Sequence, residues 1–520
     1  MISSKFKGPT LLAGLMLAFT AIFFANSLRA DSSFNTLAND YIDHFYLPSN
    51  PSLATSLGVH LYDKQLEDLS KKTLDHQIEH LQQYEAKFQA LNSQQMSGED
   101  QADLELVLND IRSELLNLQK IQDYQKNPDL YSSTITNAAF VLMERQFASA
   151  SERLTLLIAR ERQMPALLEE ARQNLKNPPH IYTEIALEQL PGMIHFFEKD
   201  VPEAFKEVKD PNLLKQFNDS NAAVIQALQA YQGWLKTTLL PHSNGDFRLG
   251  KDTFRKKLLY DEMVDLSLEQ LITIGMENLK HNQNELLQLA KEIDPQKTLN
   301  QILEMIAKDH PSPEQLLTTF DASLAHLIQF IEEKNIITIP SQTRPILEET
   351  PPFMRATTFA SMDTPGPFEK SATEAYFNVT LPEKSWSRQK TAEFMAQFSY
   401  PVISSISVHE AYPGHYVQFL WVIKNKDRIR QLFGASSNSE GWAHYCEQMM
   451  LDQGLGQDRG SKEAQLLRLG YLQEALLRNA RYIVAIQMHT GQMSFEQAQD
   501  FFVKQGYQTR TVALVESKRG

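Results

Sequence analysis

The residues in this 520-residue chain best suited to chemistry lie in the stretch His409-Glu410-Ala411-Tyr412-Pro413-Gly414-His415. Hydrolytic metal sites need neutral imidazoles and a carboxylate to hold the ion, a position open to water, and a second carboxylate to take that water's proton. In the common HExxH arrangement the two histidines are four residues apart and share a helix face. Here they are six apart, and at about 100° per residue an unbroken helix would turn them to divergent faces. Pro413 and Gly414 lie between them, and these residue types break helices and permit unusual backbone angles. The spacing therefore predicts a distortion that returns His415 to the side of His409. In a chain with 14 histidines, a chance His-Glu-x4-His match is expected only about 0.03 times.

A third ligand must come from another element. The best candidate lies in Ser439-Glu440-Gly441-Trp442-Ala443-His444-Tyr445-Cys446-Glu447. With Ser439 as a helix cap, Glu440, His444 and Glu447 fall at i, i+4 and i+7 on one face. Glu440 is the predicted ligand, and His444 and Glu447 are predicted to orient the ligands from behind. Zinc is the ion inferred from the ligand types, which would also suit another divalent metal. The chain shows no GxSxG nucleophile elbow and no GxxxxGK phosphate loop. Gly454-Leu455-Gly456 reads as a helix-ending turn and Cys446 as a packed side chain.

These residues need elements to carry them. A helix starting near Pro401 would set Val402, Ile406 and His409 along the side facing the cleft. Helical periodicity dominates the rest. Leu271, Ile272, Met276, Leu279, Leu286, Leu289 and Ile293 form one stripe behind a Ser267–Gln270 capping box, and Ser312-Pro313 with Gln315 opens a second helix. Residues 35–240 read as helical scaffold, with helices over 73–92 and 99–122 and a lobe boundary in the turn formers of 241–250. Ile336–Pro340 and Ala375–Pro382 are β-prone and read as short strands, with an edge able to pair with an extended peptide. The predicted fold is mainly α, a large multi-helix zinc-peptidase-like fold with a small β-sheet beside the cleft. Its expected division is a signal peptide over 1–30, an N-terminal lobe over 31–245 and a site-bearing lobe over 246–520, with one continuous domain as the alternative.

Lys5 and Lys7 precede the apolar run Leu11–Ala25, and Ala30 offers a small residue for cleavage, which predicts export to the periplasm or beyond. An uncleaved N-terminal anchor is the alternative. Without Lys5, Lys7 and Arg29 the chain carries 47 basic against 64 acidic residues, a net −17. That balance argues against nucleic acid and anionic membranes as partners. Lys424, Lys426, Arg428 and Arg430 read as a solvated basic face. One cysteine allows no internal disulfide, so stability must come from a core.

The stretches HEAYPGHYVQ (409–418), EGWAHYCEQMM (440–450), TPPFMRATTFASMDTPGPFE (350–369) and RYIVAIQMHTGQMSFEQA (481–498) resemble the bacterial family called domain of unknown function 885. Its members look like zinc metallopeptidases related to the gluzincins. The resemblance implies His409, His415 and Glu440 as zinc ligands, Glu410 as general base, and Arg481 and His489 reaching the cleft. His489 would then donate to the developing oxyanion, and Tyr376 and Asn378 on an edge strand would contact substrate. The chain departs from the family in having Ala485 where many members carry aspartate. It also ends at ESKRG, which predicts a truncated C-terminus. The expected activity is hydrolysis of oligopeptides. Two further readings stay open: a non-catalytic periplasmic binding or assembly protein that holds zinc structurally, and an amidase or esterase using the same residues.

Overall fold

The computed structural model describes residues 33–355 and 358–519. The predicted signal peptide lies outside them. The N-terminal part is built from amphipathic helices with defined starts. Ser70 accepts a hydrogen bond from the Thr73 amide to open Lys71–Gln89, Ser97 does the same for Asp100 in Gly98–Leu116, and Ser149 and Glu152 form a capping box before Ala150–Glu161. Such caps satisfy amides that the first helical turn leaves without partners. Helices Pro128–Glu144, His180–His195 and Pro211–Trp234 enclose a core around Tyr131, Leu190, Phe196, Phe197 and Tyr231.

The C-terminal part contains α1 (Leu268–Ile293), α2 (Leu316–Lys334), α3 (Tyr400–Glu410), α4 (His415–Lys424), α5 (Ser436–Asp452), α6 (Ser461–His489) and α7 (Arg510–Arg519). The Ser267–Gln270 box opens α1, and its stripe buries Leu271, Leu279, Leu286 and Leu289 but leaves Met276 exposed. A Ser312–Gln315 box precedes α2. Three strands, β1 (Ile346–Glu349), β2 (Ala360–Asp363) and β3 (Tyr376–Val379), form a sheet in the order β1-β3-β2. β3 runs parallel to β1 and antiparallel to β2, with Ser361 opposite Asn378 and Asp363 opposite Tyr376. Phe377 and Val379 point into a core with Phe320, Phe398, Tyr412, Tyr416 and Cys446.

Two strand expectations change. Ile336–Pro340 is not a strand, because its carbonyls are taken by side chains of α4: Trp421 Nε1 donates to Thr338 and Lys424 Nζ to Pro340. β3 is the central strand rather than an edge. The basic residues after α4 are also not a purely solvated face. Arg428 pairs with Asp43 and Arg430 with Asp103, while Ile429 and Phe433 enter the N-terminal core around Phe34, Tyr41 and Phe88. The turn-rich 241–250 segment is likewise pinned, with Gly245 N donating to Pro178 O at 3.0 Å and Gly250 N to His489 O at 2.9 Å.

Candidate metal centre

α3 ends at Glu410 and α4 begins at His415, so the residues between the two histidines form a break between two helices rather than a bulge in one. The Tyr412–Pro413 peptide is cis, and Gly414 N donates to Val408 O at 3.0 Å. A Cβ on Gly414 would fall inside contact distance of the carbonyl oxygens of Val408 and His409. Only glycine lets the chain fold back this closely. The fold-back brings the two imidazoles to a centroid separation of 4.8 Å, at 86° to one another.

Glu440 completes the group from α5. One potential ligand atom from each of His409, His415 and Glu440 lies within 4.8 Å of the others. His409 Nε2 is 3.3 Å from Glu440 Oε2, and His415 Nε2 is 3.6 Å from Glu440 Oε1. Ser439 does not cap α5, which starts three residues earlier. It sits in the first turn, where its Oγ lies 3.4 Å from His415 Nδ1 and 3.1 Å from Gln418 Oε1.

The rear of the site is a hydrogen-bonded network. Glu447 Oε1 lies 2.8 Å from His409 Nδ1, and Ser405 Oγ donates to Glu447 Oε2 at 2.6 Å. The short contact makes Nδ1–H the donor to Glu447 and leaves Nε2 facing Glu440. Arg478 Nη2 lies 3.1 Å from the same Nδ1 and 3.3 Å from Glu447 Oε1. A protonated Nδ1 cannot accept, so the guanidinium serves Glu447. His444 stands behind this pair, with Nδ1 at 3.5 Å from Glu447 Oε1 and its ring stacked on Tyr471. Both oxygens of Glu447 are thus in use within the protein.

Charge in the site follows from burial and neighbours. Burial lowers the His415 pKa to about 4, which keeps that imidazole neutral and its lone pair open. Burial also disfavours His409 as a cation, but hydrogen bonds to Glu440 and Glu447 outweigh it and raise the pKa to about 9. That proton occupies the lone pair a metal ion would take, so binding there releases it. The hydrogen bond from His409 holds Glu440 down at about 2, whereas burial pushes Glu410 up to about 7. The donor set therefore fits a divalent ion: two imidazole nitrogens, each with its other nitrogen next to a polar partner, and one ionised carboxylate.

A cleft of about 320 Å³ contains this group, Glu410 included. Its walls come from residues 358–362 around β2, from Glu474, Arg478 and Arg481 of α6, and from Glu516 and Arg519 of α7. Gly470 lets α6 approach α3, since a Cβ there would meet the Pro401 backbone at 2.7 Å. Arg478 follows two turns later, at the height of His409.

Not every predicted residue arrives. Arg481 lines the cleft and pairs with Glu516 at 2.6 Å. His489 does not line it. His489 is eleven residues beyond Arg478 on the same helix, about 16 Å further along at 1.5 Å per residue. It stacks there on Phe254 at 5.4 Å. Tyr376 and Asn378 face the other side of the sheet, where Tyr376 lies under Arg145 at 5.5 Å and Asn378 opens on a separate cavity. The strand nearest the metal-type group is β2, an edge strand. Reading the sequence missed Glu474, Arg478, Glu516 and Arg519. The available signal was an ionic pair, Glu474 and Arg478, set four apart inside an apolar helical run.

Residues 51–520 match the family described as bacterial protein of unknown function, DUF885. The chain belongs to this family. Solved structures that share its fold include two lipoprotein-type relatives. One is a provisionally assigned lipoprotein of unknown function from Shewanella oneidensis, with a TM-score of 0.75 and 22% identity over 94% of this chain and 89% of that one. The other is a provisionally assigned lipoprotein from Colwellia psychrerythraea, with a TM-score of 0.75 and 14% identity over the same shares. The curated proteins contain no match. Among the described residues of this DUF885 protein, no helix is long and apolar enough to cross a membrane.

Proposed function

We propose that this DUF885 protein is an exported metal-dependent peptidase, with zinc as the ion, acting on oligopeptides. The observation that carries the reading is the convergence of His409, His415 and Glu440 within 4.8 Å, on the wall of a cleft that also holds Glu410. A divalent ion bound by the trio supplies Lewis acidity toward a peptide carbonyl and toward the attacking water. Glu410, whose carboxyl burial raises to about 7, takes the water's proton and returns it to the leaving amine. Glu447 fixes the His409 ring through Nδ1, so that Nε2 stays aimed at the cleft. The edge of β2 offers backbone groups to an extended chain, and the surrounding helices favour short substrates over folded ones. Export rests on the apolar run Leu11–Ala25 and on the lipoprotein descriptions of the two structural relatives.

The test is metal analysis together with a peptide-library digest by wild type and Glu410→Gln. About one zinc per chain in both, with cleavage by wild type alone, is the expected result. Equal cleavage by both proteins would overturn the assigned role of Glu410, and no cleavage by metal-loaded wild type would overturn the peptidase reading.

A further inference from the structure

The opposite face of the sheet holds a second cavity, of about 370 Å³, between the strands and the helices Pro51–Ser56 and Pro128–Glu144. It shares Ser361 and Met362 of β2 with the metal-site cleft. Its walls divide by chemistry. Phe140, Val141 and Met354 make an apolar side, while Glu144, Asp363 and Asn378 contribute acceptors beside one cation, Arg145. Glu348 stands on the same face of the sheet, across from Asn378 in the β1–β3 register.

The acceptors are in surplus. Arg145 binds Asp363 and the Glu374 carbonyl and lies over the Tyr376 ring, so its cation is spent on that side. Glu144 and Glu348 have no ion pair among the described residues. Burial raises both carboxyls, Glu348 to about 7, and each is pushed further by a neighbouring acid. Asn378 is 2% exposed and its Oδ1 has no hydrogen-bond partner, and neither has the Ser361 Oγ. A buried amide oxygen without a donor is destabilising. It sits at the same cavity as Glu144, and the wall also carries Arg145, whose charge offsets part of the burial cost at Glu144 and Glu348 without forming an ion pair with either.

We propose that this cavity is a subsite for a lysine or arginine side chain of a peptide lying along β2, its methylenes against Phe140, Val141 and Met354 and its charged head among Glu144, Glu348 and Asn378. Lysine and arginine combine an apolar stem with a multivalent donor, which is the complement of these walls. No group of three metal-ligating side chains other than the His409 trio converges among the described residues, so an organic cation suits the cavity better than a metal ion. A peptide spanning both sites needs only to follow β2, whose residues line both. The peptide part of this inference rests on the peptidase reading of the neighbouring cleft.

The experiment uses metal-loaded Glu410→Gln and calorimetry with one peptide scanned for arginine, lysine, citrulline and norleucine at each position. One position should bind arginine or lysine at least about tenfold more tightly than citrulline or norleucine, as expected for charge-assisted bonds. The preference should collapse in Glu144→Gln/Glu348→Gln, whose melting temperature, read in parallel, should hold or rise as like-charge repulsion is removed. No cation preference at any position, or a preference that survives the double variant, would overturn the subsite. Binding of free argininamide as tight as the best peptide would overturn its assignment to a peptide side chain. Cleavage is read separately with the metal-loaded wild type, so a cation preference without any cleavage would sink the peptidase reading and leave the cavity's specificity standing.

Discussion

Among the described residues, His60 and His409 each sit between two carboxylates, and only His409 belongs to a candidate metal centre. His60 Nδ1 lies 3.0 Å from Asp63 and its Nε2 3.1 Å from Glu369. His409 Nδ1 lies 2.8 Å from Glu447 and its Nε2 3.3 Å from Glu440. The difference lies in what else the carboxylates do. Asp63 accepts from Thr55 Oγ1 at 2.6 Å, and Glu369 accepts from the amides of Lys370, Ser371 and Ala372. His60 itself is stacked on Phe147 at 3.8 Å, and among the described residues no group of three metal-ligating side chains forms around it. Its two carboxylates therefore act as acceptors for an imidazolium that ties the N-terminal helices to the segment after β2. At His409 a second, neutral imidazole arrives, and Glu440 remains exposed toward the cleft. A histidine flanked by acids can join a candidate ligand set only where a second, neutral imidazole and an exposed carboxylate converge on it.

The largest effect that tests this contrast is on turnover. Glu410→Gln should lower kcat by roughly 10² to 10⁴, the usual contribution of a positioned general base, with metal content unchanged in plasma emission analysis. His60→Gln should leave kcat within about twofold. Metal stoichiometry comes next. His415→Ala and Glu440→Ala should each drop bound zinc from about one per chain to a small fraction, because two remaining protein ligands fall short of the three a catalytic site uses. Zinc retained at full stoichiometry by both variants would place the ion elsewhere. Glu447→Gln removes the anchor of the His409 ring rather than a ligand, and it should weaken zinc binding by about 10- to 100-fold in chelator competition.

The smallest effect belongs to the His60 bridge and should appear as pH-dependent stability. Burial opposes protonation of His60, but its bonds to Asp63 and Glu369 prevail and raise its pKa. The folded protein then holds this proton more tightly than the unfolded chain, whose histidines titrate near about 6.5. The resulting stabilisation is complete below that pH and disappears as pH rises through the raised folded value. Urea denaturation at about pH 5.5 should find His60→Gln less stable than wild type by roughly 1 kcal/mol for this partly exposed pair. The gap should narrow at about pH 8.5, and a gap that widens there would contradict the assigned charge state.

Much of the candidate site was legible along the chain. His409, Glu410 and His415 with Pro413-Gly414 between them predicted the fold-back, and the periodicity of α1 and its Ser267–Gln270 box predicted that helix. These features depend on residues close in sequence, whose sterics and first hydrogen bonds act before any tertiary contact. The sheet was read less well. The segment Ile336–Pro340 has strand composition, yet its carbonyls are claimed by Trp421 and Lys424, more than eighty positions away.

The sequence by itself determined a mostly helical chain, the histidine spacing that demands a broken helix, and Glu440 as the carboxylate to join it. Tertiary structure alone decided that β2 and not β3 borders the cleft, that Arg478 reaches the site while His489 stops about 16 Å further along the same helix, and that Ser439 faces His415 instead of capping α5. Strand order, helix crossing points and the turn at which a side chain meets the cleft are set by long-range packing. Gly470 against Pro401 is such a contact, and neither residue reveals it alone.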